Sequence, residues 1–271
     1  MQKKSKMNIT TATIGGKKIR YSDQGMGSAI VLLHGFIERI EIWEAMSEEL
    51  SDSNRVVCVE LPGHGLSEMI SDVQTMEMMA NHIHVLLKQI NVTDLVMIGH
   101  SMGGYITLAY ATQYPSELRG IGLFHSQALA DSDQARKGRE RAIEIVQQDR
   151  DGFIFNFIPD LFAESNREMC HEQIKWLQKG AKSMTKESII SCLKGMAIRS
   201  DKLDLLVTTH LPVMFILGKE DARVPINSVL AQTLLPNHSE ILILGECGHM
   251  GYIEMADETT RFIHSFVANL K

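Results

Sequence analysis

The sequence predicts an α/β protein: a mostly parallel sheet with helices on both faces, broken by one helical insertion. Three observations carry that expectation. Short apolar runs alternate with amphipathic stretches over residues 30–124, the pattern of strands buried on both faces and joined by crossover helices. The alternation stops between about residues 127 and 205, where every segment has helical periodicity, and strand-like runs return at 213–217 and 241–244. Finally, Gly99-His100-Ser101-Met102-Gly103 joins an apolar run to a helix-like stretch, the setting in which a sharp strand-to-helix turn exposes a serine hydroxyl.

Residues 8–14 and 17–22 alternate in polarity around Gly15-Gly16 and read as an antiparallel hairpin. Strands are expected at 30–33, 56–59, 95–98 and 120–124, with helices at 41–50, 75–90 and 105–114. The insertion reads as four helices, at 133–148, 153–162, 167–179 and 186–197. At ~80 residues it exceeds an ordinary connection and is expected to form a lid. A helix at 257–270 follows the last two strands. The expected organisation is thus a core of residues 1–126 and 206–271, with a lid at 127–205.

A chain of 271 residues with 44% hydrophobic and 22% charged content fits one ordinary globular domain carrying an insertion. The net charge of −6, from 27 basic and 33 acidic residues, provides no basic footprint for nucleic acid or anionic lipid. No apolar run has the length of a membrane span, so neither nucleic acid nor membrane is an expected partner. The basic segment at 1–6 precedes polar, Thr-rich sequence, which does not read as a secretory signal. Cys58, Cys170, Cys192 and Cys247 have no C-x-x-C or zinc-ligand spacing, as expected of free thiols in a reducing, cytoplasmic compartment.

No cofactor and no metal is implied. His82 and His84 lie two apart on an expected helix and point to different faces. Gly25-Met26-Gly27 and Gly63-His64-Gly65 lack the third glycine of a dinucleotide fingerprint.

A serine hydroxyl needs an adjacent imidazole to take its proton, and a carboxylate to hold that imidazole in the right tautomer. Asp221 and His249 each follow a strand-like run. Loops at the carboxyl ends of parallel strands share one edge of the sheet, so Ser101, Asp221 and His249 are expected to meet there. Their order along the chain is that of one hydrolase class. The other histidines read as structural: His34 and His64 hydrogen bonding the backbone of Gly-rich turns, His100 packing inside the elbow. Arg136, Lys137, Arg139 and Arg141 read as the solvated face of a lid helix. Met69, Met76, Met78, Met79, Met184 and Met196 read as core filling, or more sharply as a plastic apolar pocket.

With His34-Gly35-Phe36, Leu61-Pro62-Gly63-His64-Gly65-Leu66-Ser67, Gly99 to Gly104, Gly218-Lys219-Glu220-Asp221 and Gly248-His249, the chain resembles the α/β-hydrolase superfamily. The resemblance runs over nearly its whole length and is to the lid-bearing, esterase-like branch. It implies an eight-stranded sheet with a helical lid, and a serine hydrolase acting on a small carboxylic ester or related acyl compound. In that scheme Ser101 is the nucleophile, His249 the base and Asp221 its support, and the amides of Phe36 and Met102 form the oxyanion hole. Glu220 could compete with Asp221, but the family's position matches Asp221. His125, after the strand that follows the elbow, and Met250, beside His249, are expected to line the pocket. Glu60 stands where the superfamily usually has Asp, at a structural position. Carbon-carbon bond hydrolases of the superfamily often carry Trp where this chain has Met250. That chemistry is therefore the alternative to ester hydrolysis, together with a non-catalytic ligand-binding protein. Ser101 at the elbow argues against dehalogenases and epoxide hydrolases, which place Asp there. Nothing in the sequence sets the oligomeric state.

Overall fold

A computed structural model describes residues 7–270; the basic segment at 1–6 lies outside the described residues. The eight strands are β1 (Ile9–Ile14), β2 (Lys17–Gln24), β3 (Ala29–Leu33), β4 (Arg55–Val59), β5 (Leu95–His100), β6 (Leu118–Phe124), β7 (Val213–Gly218) and β8 (Ser239–Leu244). They form one sheet in the order β1-β2-β4-β3-β5-β6-β7-β8. The β1–β2 and β2–β4 pairs are antiparallel and every other pair is parallel. Gly15 and Gly16 turn the opening hairpin with φ of 56° and 78°, values for which a hairpin turn needs glycine. Every residue of β3, β5 and β7 is buried, because both faces of the central sheet are covered.

The helices are α1 (Glu44–Leu50), α2 (Met76–Gln89), α3 (Met102–Gln113), α4 (Asp133–Gln148), α5 (Arg150–Phe157), α6 (His171–Ala181), α7 (Lys186–Ala197), α8 (Leu203–Thr208), α9 (Ile226–Val229), α10 (Gly251–Glu254) and α11 (Ala256–Asn269). Thr75, Ser132 and Thr185 accept from the third amide beyond them and cap α2, α4 and α7; each cap is worth about 1 kcal/mol. On α2, Met76, Met79, Ala80, Ile83, Leu86 and Leu87 make the buried face, at the spacing of one helical stripe. By contrast α3 is buried from Met102 through Ala111, because it packs on β3, β5 and β6 with α2 at its side.

Helices α4 to α8 lie between β6 and β7. The helix expected at 153–162 begins earlier, where Asp149 accepts from the Gly152 amide, and ends at Phe157. Pro159 stops it, since its ring excludes continued α-helix, and a 3-10 turn at Pro159–Leu161 follows. The helix expected at 167–179 is shifted to α6, and the short helices α8, α9 and α10 have no counterpart in the sequence reading. Because α8 runs through residue 206, the helical block ends later than the boundary expected at 205. All four cysteines are buried and unpaired. Among the described residues, no helix is long and apolar enough to cross a membrane.

Candidate active site

Between β5 and α3 the chain reverses at one residue. Ser101 has φ 52° and ψ −115°, a left-handed conformation costing on the order of 1–3 kcal/mol in a non-glycine residue. The turn is held by the Ser101 amide donating to the Phe124 carbonyl at 2.9 Å. A Cβ at Gly99 would run into the Gly103 carbonyl, and one at Gly103 would run into the Leu33 carbonyl. Both glycines of the pentapeptide are therefore demanded by close backbone approach. Met102 opens α3, so its amide belongs to the first turn, where N–H groups lack intrahelical acceptors.

Asp221 lies in the turn beyond β7 with its two oxygens divided between two tasks. Oδ1 accepts from the amides of Arg223 at 2.8 Å and Val224 at 2.9 Å, which fixes the carboxylate plane. Oδ2 accepts from Nδ1 of His249 at 2.8 Å and from Nδ1 of His125 at 3.1 Å. Burial opposes ionisation of Asp221, but the His249 charge and the two imidazole hydrogen bonds outweigh it and hold the carboxyl well below the usual range. His249 is itself anchored through its backbone: its amide donates to the Leu161 carbonyl at 2.7 Å, and its carbonyl accepts from Nε2 of His100 at 2.8 Å. Engagement of Nδ1 by a carboxylate places the proton there and leaves Nε2 as the basic nitrogen.

A cavity of about 280 Å³ opens onto these residues. Ser101, His249 and Phe36 all line it. Tyr105 from α3, Ala142 from α4, Phe153 and Phe157 from α5, and Leu193 and Met196 from α7 supply most of its apolar wall. The structure corrects two expected pocket residues. His125 is fully buried beneath Asp221, and Met250 is fully buried beside Tyr252; neither belongs to the cavity wall. Among the methionines singled out in the sequence, Met196 lines the cavity, while Met76, Met79 and Met184 are core residues. Arg136, Lys137 and Arg141 are exposed as expected, but Arg139 turns inward, lines the cavity and shares Asp131 with Arg199.

His100 is more than a packing residue. Its Nδ1 lies 3.0 Å from Oε1 of Glu38, and its Nε2 donates to the His249 carbonyl. Both ring nitrogens donate, which requires the imidazolium. Burial opposes that charge, yet Glu38 outweighs it and raises His100 above its ordinary value. Glu38 also accepts from the Gly35 amide at 2.5 Å. Sequence reasoning missed Glu38 altogether; its one signal is a carboxylate three residues beyond Gly35, able to close the turn on that amide.

His34 and His64 do bind loop backbone. Nδ1 of His34 donates to the Gly35 carbonyl at 2.8 Å and Nε2 accepts from the Leu61 amide at 3.0 Å, while Nδ1 of His64 lies 3.1 Å from the Pro62 carbonyl. Burial lowers His34 to about 4 and His64 to about 3. Unfolded histidines near 6.5 take up protons first as pH falls. Stability from this pair is therefore complete above pH 6.5 and is lost as pH falls from there toward 4 for His34 and toward 3 for His64. Urea unfolding at pH 7 and pH 5 is expected to differ by about 2–4 kcal/mol through these two residues, and the difference narrows in His64→Phe.

Glu60 is structural in detail: Oε2 accepts from the amides of Leu66 at 2.8 Å and Ser67 at 3.2 Å, and Arg20 binds both oxygens at 3.0 Å. Among the described residues, the one cluster of three side chains with metal-ligand chemistry is His125, Asp221 and His249. Its carboxylate is already engaged by both imidazoles.

The model of the alpha/beta hydrolase fold family matches residues 28–256. A thermophilic esterase from Thermogutta terrifontis, solved with malate bound, superposes with a TM-score of 0.89 at 31% identity, over 98% of this chain and 99% of that one. The dihydrolipoyllysine-residue acetyltransferase component of the acetoin cleaving system of Pseudomonas putida is 25% identical, over 94% of this chain and 68% of its own length. The 2-hydroxymuconate semialdehyde hydrolase of Pseudomonas sp. strain CF600 is also 25% identical, over 93% of this chain and 91% of its own. With the eight-stranded sheet, the serine elbow after β5 and a family match over most of its length, the chain belongs to the α/β-hydrolase superfamily as one of its hydrolases.

Proposed function

We propose that this hydrolase cleaves a small carboxylic ester, or a related acyl compound such as a thioester or lactone, through an acyl-enzyme on Ser101. The observation that carries the reading is the shared cavity: Ser101 and His249 both line it, and Asp221 holds Nδ1 of His249 from behind. Ser101 Oγ attacks the acyl carbon while Nε2 of His249 takes its proton. The amides of Phe36 and Met102 hold the oxyanion, Met102 with the positive end of α3 behind it. His249 then protonates the leaving group as its bond to the acyl carbon breaks. Water, deprotonated by His249, attacks the acyl-enzyme; the bond from the acyl carbon to Ser101 Oγ breaks, His249 returns the proton to Oγ, and the acid is released.

In this reading α4, α5 and α7 act as the lid, since they contribute most of the apolar wall. A cavity of about 280 Å³ lies at the small end of ligand pockets, which favours short acyl chains. The esterase from Thermogutta terrifontis, at 31% identity, supports the ester chemistry. Carbon-carbon bond hydrolysis on the same triad is the second reading, prompted by the similarity to 2-hydroxymuconate semialdehyde hydrolase. The location we infer is cytoplasmic, which four buried free thiols support.

Intact-mass spectrometry after fluorophosphonate treatment tests the nucleophile, with Ser101→Ala as control and p-nitrophenyl esters of increasing acyl length as substrates. One adduct, lost in the mutant, and hydrolysis that declines from short to long chains are expected. Labelling without ester turnover, but with cleavage of a vinylogous diketone, would transfer the assignment to the carbon-carbon reading. Folded protein that takes no label would instead be a ligand-binding member of the family.

A further inference from the structure

Asp221 is shared. In the relay that ester hydrolysis needs, one imidazole binds the carboxylate; here Oδ2 accepts from two, His249 at 2.8 Å and His125 at 3.1 Å. His125 follows β6 with φ 48°, a left-handed conformation that carries strain in a non-glycine residue. Its ring stacks on Phe124 with centroids 5.2 Å apart. It is also wedged between two glycines: a Cβ at Gly251 would stand 2.5 Å from Nε2, and one at Gly218 would stand 3.0 Å from Cε1. Side chains at either position would push the ring off Asp221.

The ionised carboxylate fixes the tautomer. Nδ1 of His125 carries the proton toward Oδ2, and Nε2 is left as a lone pair that is buried without a hydrogen-bond partner. Burial lowers His125 below its ordinary value despite Asp221, so the ring is the neutral form. A residue placed only to fill this space would be better apolar, because a buried unpaired acceptor is unfavourable. What the histidine adds is the one hydrogen bond to Asp221.

We propose that His125 is a positioning residue of the hydrolytic relay: its Nδ1–H clamps the Asp221 carboxylate beside His249 and draws off part of the negative charge that His249 would otherwise feel. The inference rests on the reading of Ser101, Asp221 and His249 as the relay. With His249 and the amides of Arg223 and Val224, the clamp brings the donors on Asp221 to four. Each donor that stabilises the carboxylate weakens its pull on a proton at His249. The titratable and charged groups facing the clamp are Asp221 beyond β7, His249 with ring centroids 5.7 Å away, and His100 at 6.0 Å with Glu38 behind it. The Asp221 charge also acts on the Arg223 guanidinium and on the buried Cys247 thiol. These neighbours are the same in every variant below, so a difference between variants reports the clamp.

The test is the pH dependence of Ser101 phosphonylation by a fluorophosphonate, followed by intact mass from pH 5 to 9, which needs no knowledge of the natural substrate. His125→Phe keeps a ring and removes the donor. His125→Gln keeps an amide but carries it too far along the side chain to meet Oδ2. His125→Asn places an amide donor where Nδ1 stands and tolerates the left-handed backbone. The acid limb is expected to move to higher pH by about 0.5–1 unit in His125→Phe and His125→Gln, a 3- to 10-fold slower reaction below the limb. In His125→Asn the limb is expected to return toward the parent position. If His125→Phe does not fold, the contrast between Gln and Asn carries the result. A limb that stays in place in folded variants lacking the donor overturns the proposal, as does an equal shift in Asn and Gln. A parent protein that is not labelled at all would strike the relay reading itself, which separates the two failures.

Discussion

Ser101→Ala is expected to lower kcat by about 10⁶-fold and Asp221→Asn by about 10⁴-fold, both with the fold retained. The serine loss is total for covalent catalysis, because among the described residues no other serine, threonine or cysteine lines the cavity. Alanine fits the same turn, since the two glycines, and not residue 101, meet the neighbouring backbone. Asp221→Asn acts through the proton on His249. The asparagine oxygen can keep accepting from the Arg223 and Val224 amides, which turns its NH₂ toward the two imidazoles. Nδ1 of His249 must then become an acceptor, its proton moves to Nε2, and the base faces the serine in the wrong tautomer. Steady-state kinetics with a p-nitrophenyl ester and thermal unfolding of each variant check this. An Asp221→Asn enzyme within tenfold of the parent would sink the relay.

Glu38→Ala is expected to destabilise the fold by about 3–5 kcal/mol, because it strands a buried imidazolium. In a protein of this size that is a fall in Tm of roughly 6–20 °C. The Glu38 side chain is almost wholly buried, and it partners His100 and the Gly35 amide. His100 responds by losing the proton on Nδ1, so the bond that Nε2 donates to the His249 carbonyl is no longer charge-assisted, and activity is expected to fall along with stability. The double variant Glu38→Leu/His100→Phe should recover part of the stability, since replacing both charges with apolar groups is far less costly than breaking the pair. It should not recover activity, because the tie to His249 is gone. Differential scanning calorimetry of Glu38→Leu, His100→Phe and the double variant measures the coupling. Additive losses would mean that Glu38 and His100 act independently.

The sheet was legible because its strands are short apolar runs set off by amphipathic helices, and the same alternation located the helical insertion. Helix ends were less legible. Residues 158–162 have helical periodicity, yet Pro159 ends α5 two residues earlier, at Phe157. At the site, Ser101, Asp221 and His249 could be nominated because each follows a strand that ends at one edge of a parallel sheet. His125 meets the same criterion and reads from the sequence as a pocket residue. Its side chain instead turns under Asp221, a choice made by the left-handed backbone and by the space that Gly218 and Gly251 leave open. Arg139 likewise reads as one charge in a solvated run, but its position on α4 faces Asp131 and Arg199.

Local periodicity, local backbone sterics and strand-end placement are enough to read the α/β class, the elbow at Ser101 and the candidate triad from the amino acids. The neighbours of those residues emerge only once the chain is packed. Glu38 and His100 are 62 residues apart, and His125 and Asp221 are 96 apart. Such contacts are set by how helices and loops pack across the sheet edge, and no local pattern encodes them. The cavity follows the same rule: its wall comes from α3, α4, α5 and α7 at once, so its size and chemistry exist only when those helices are packed together.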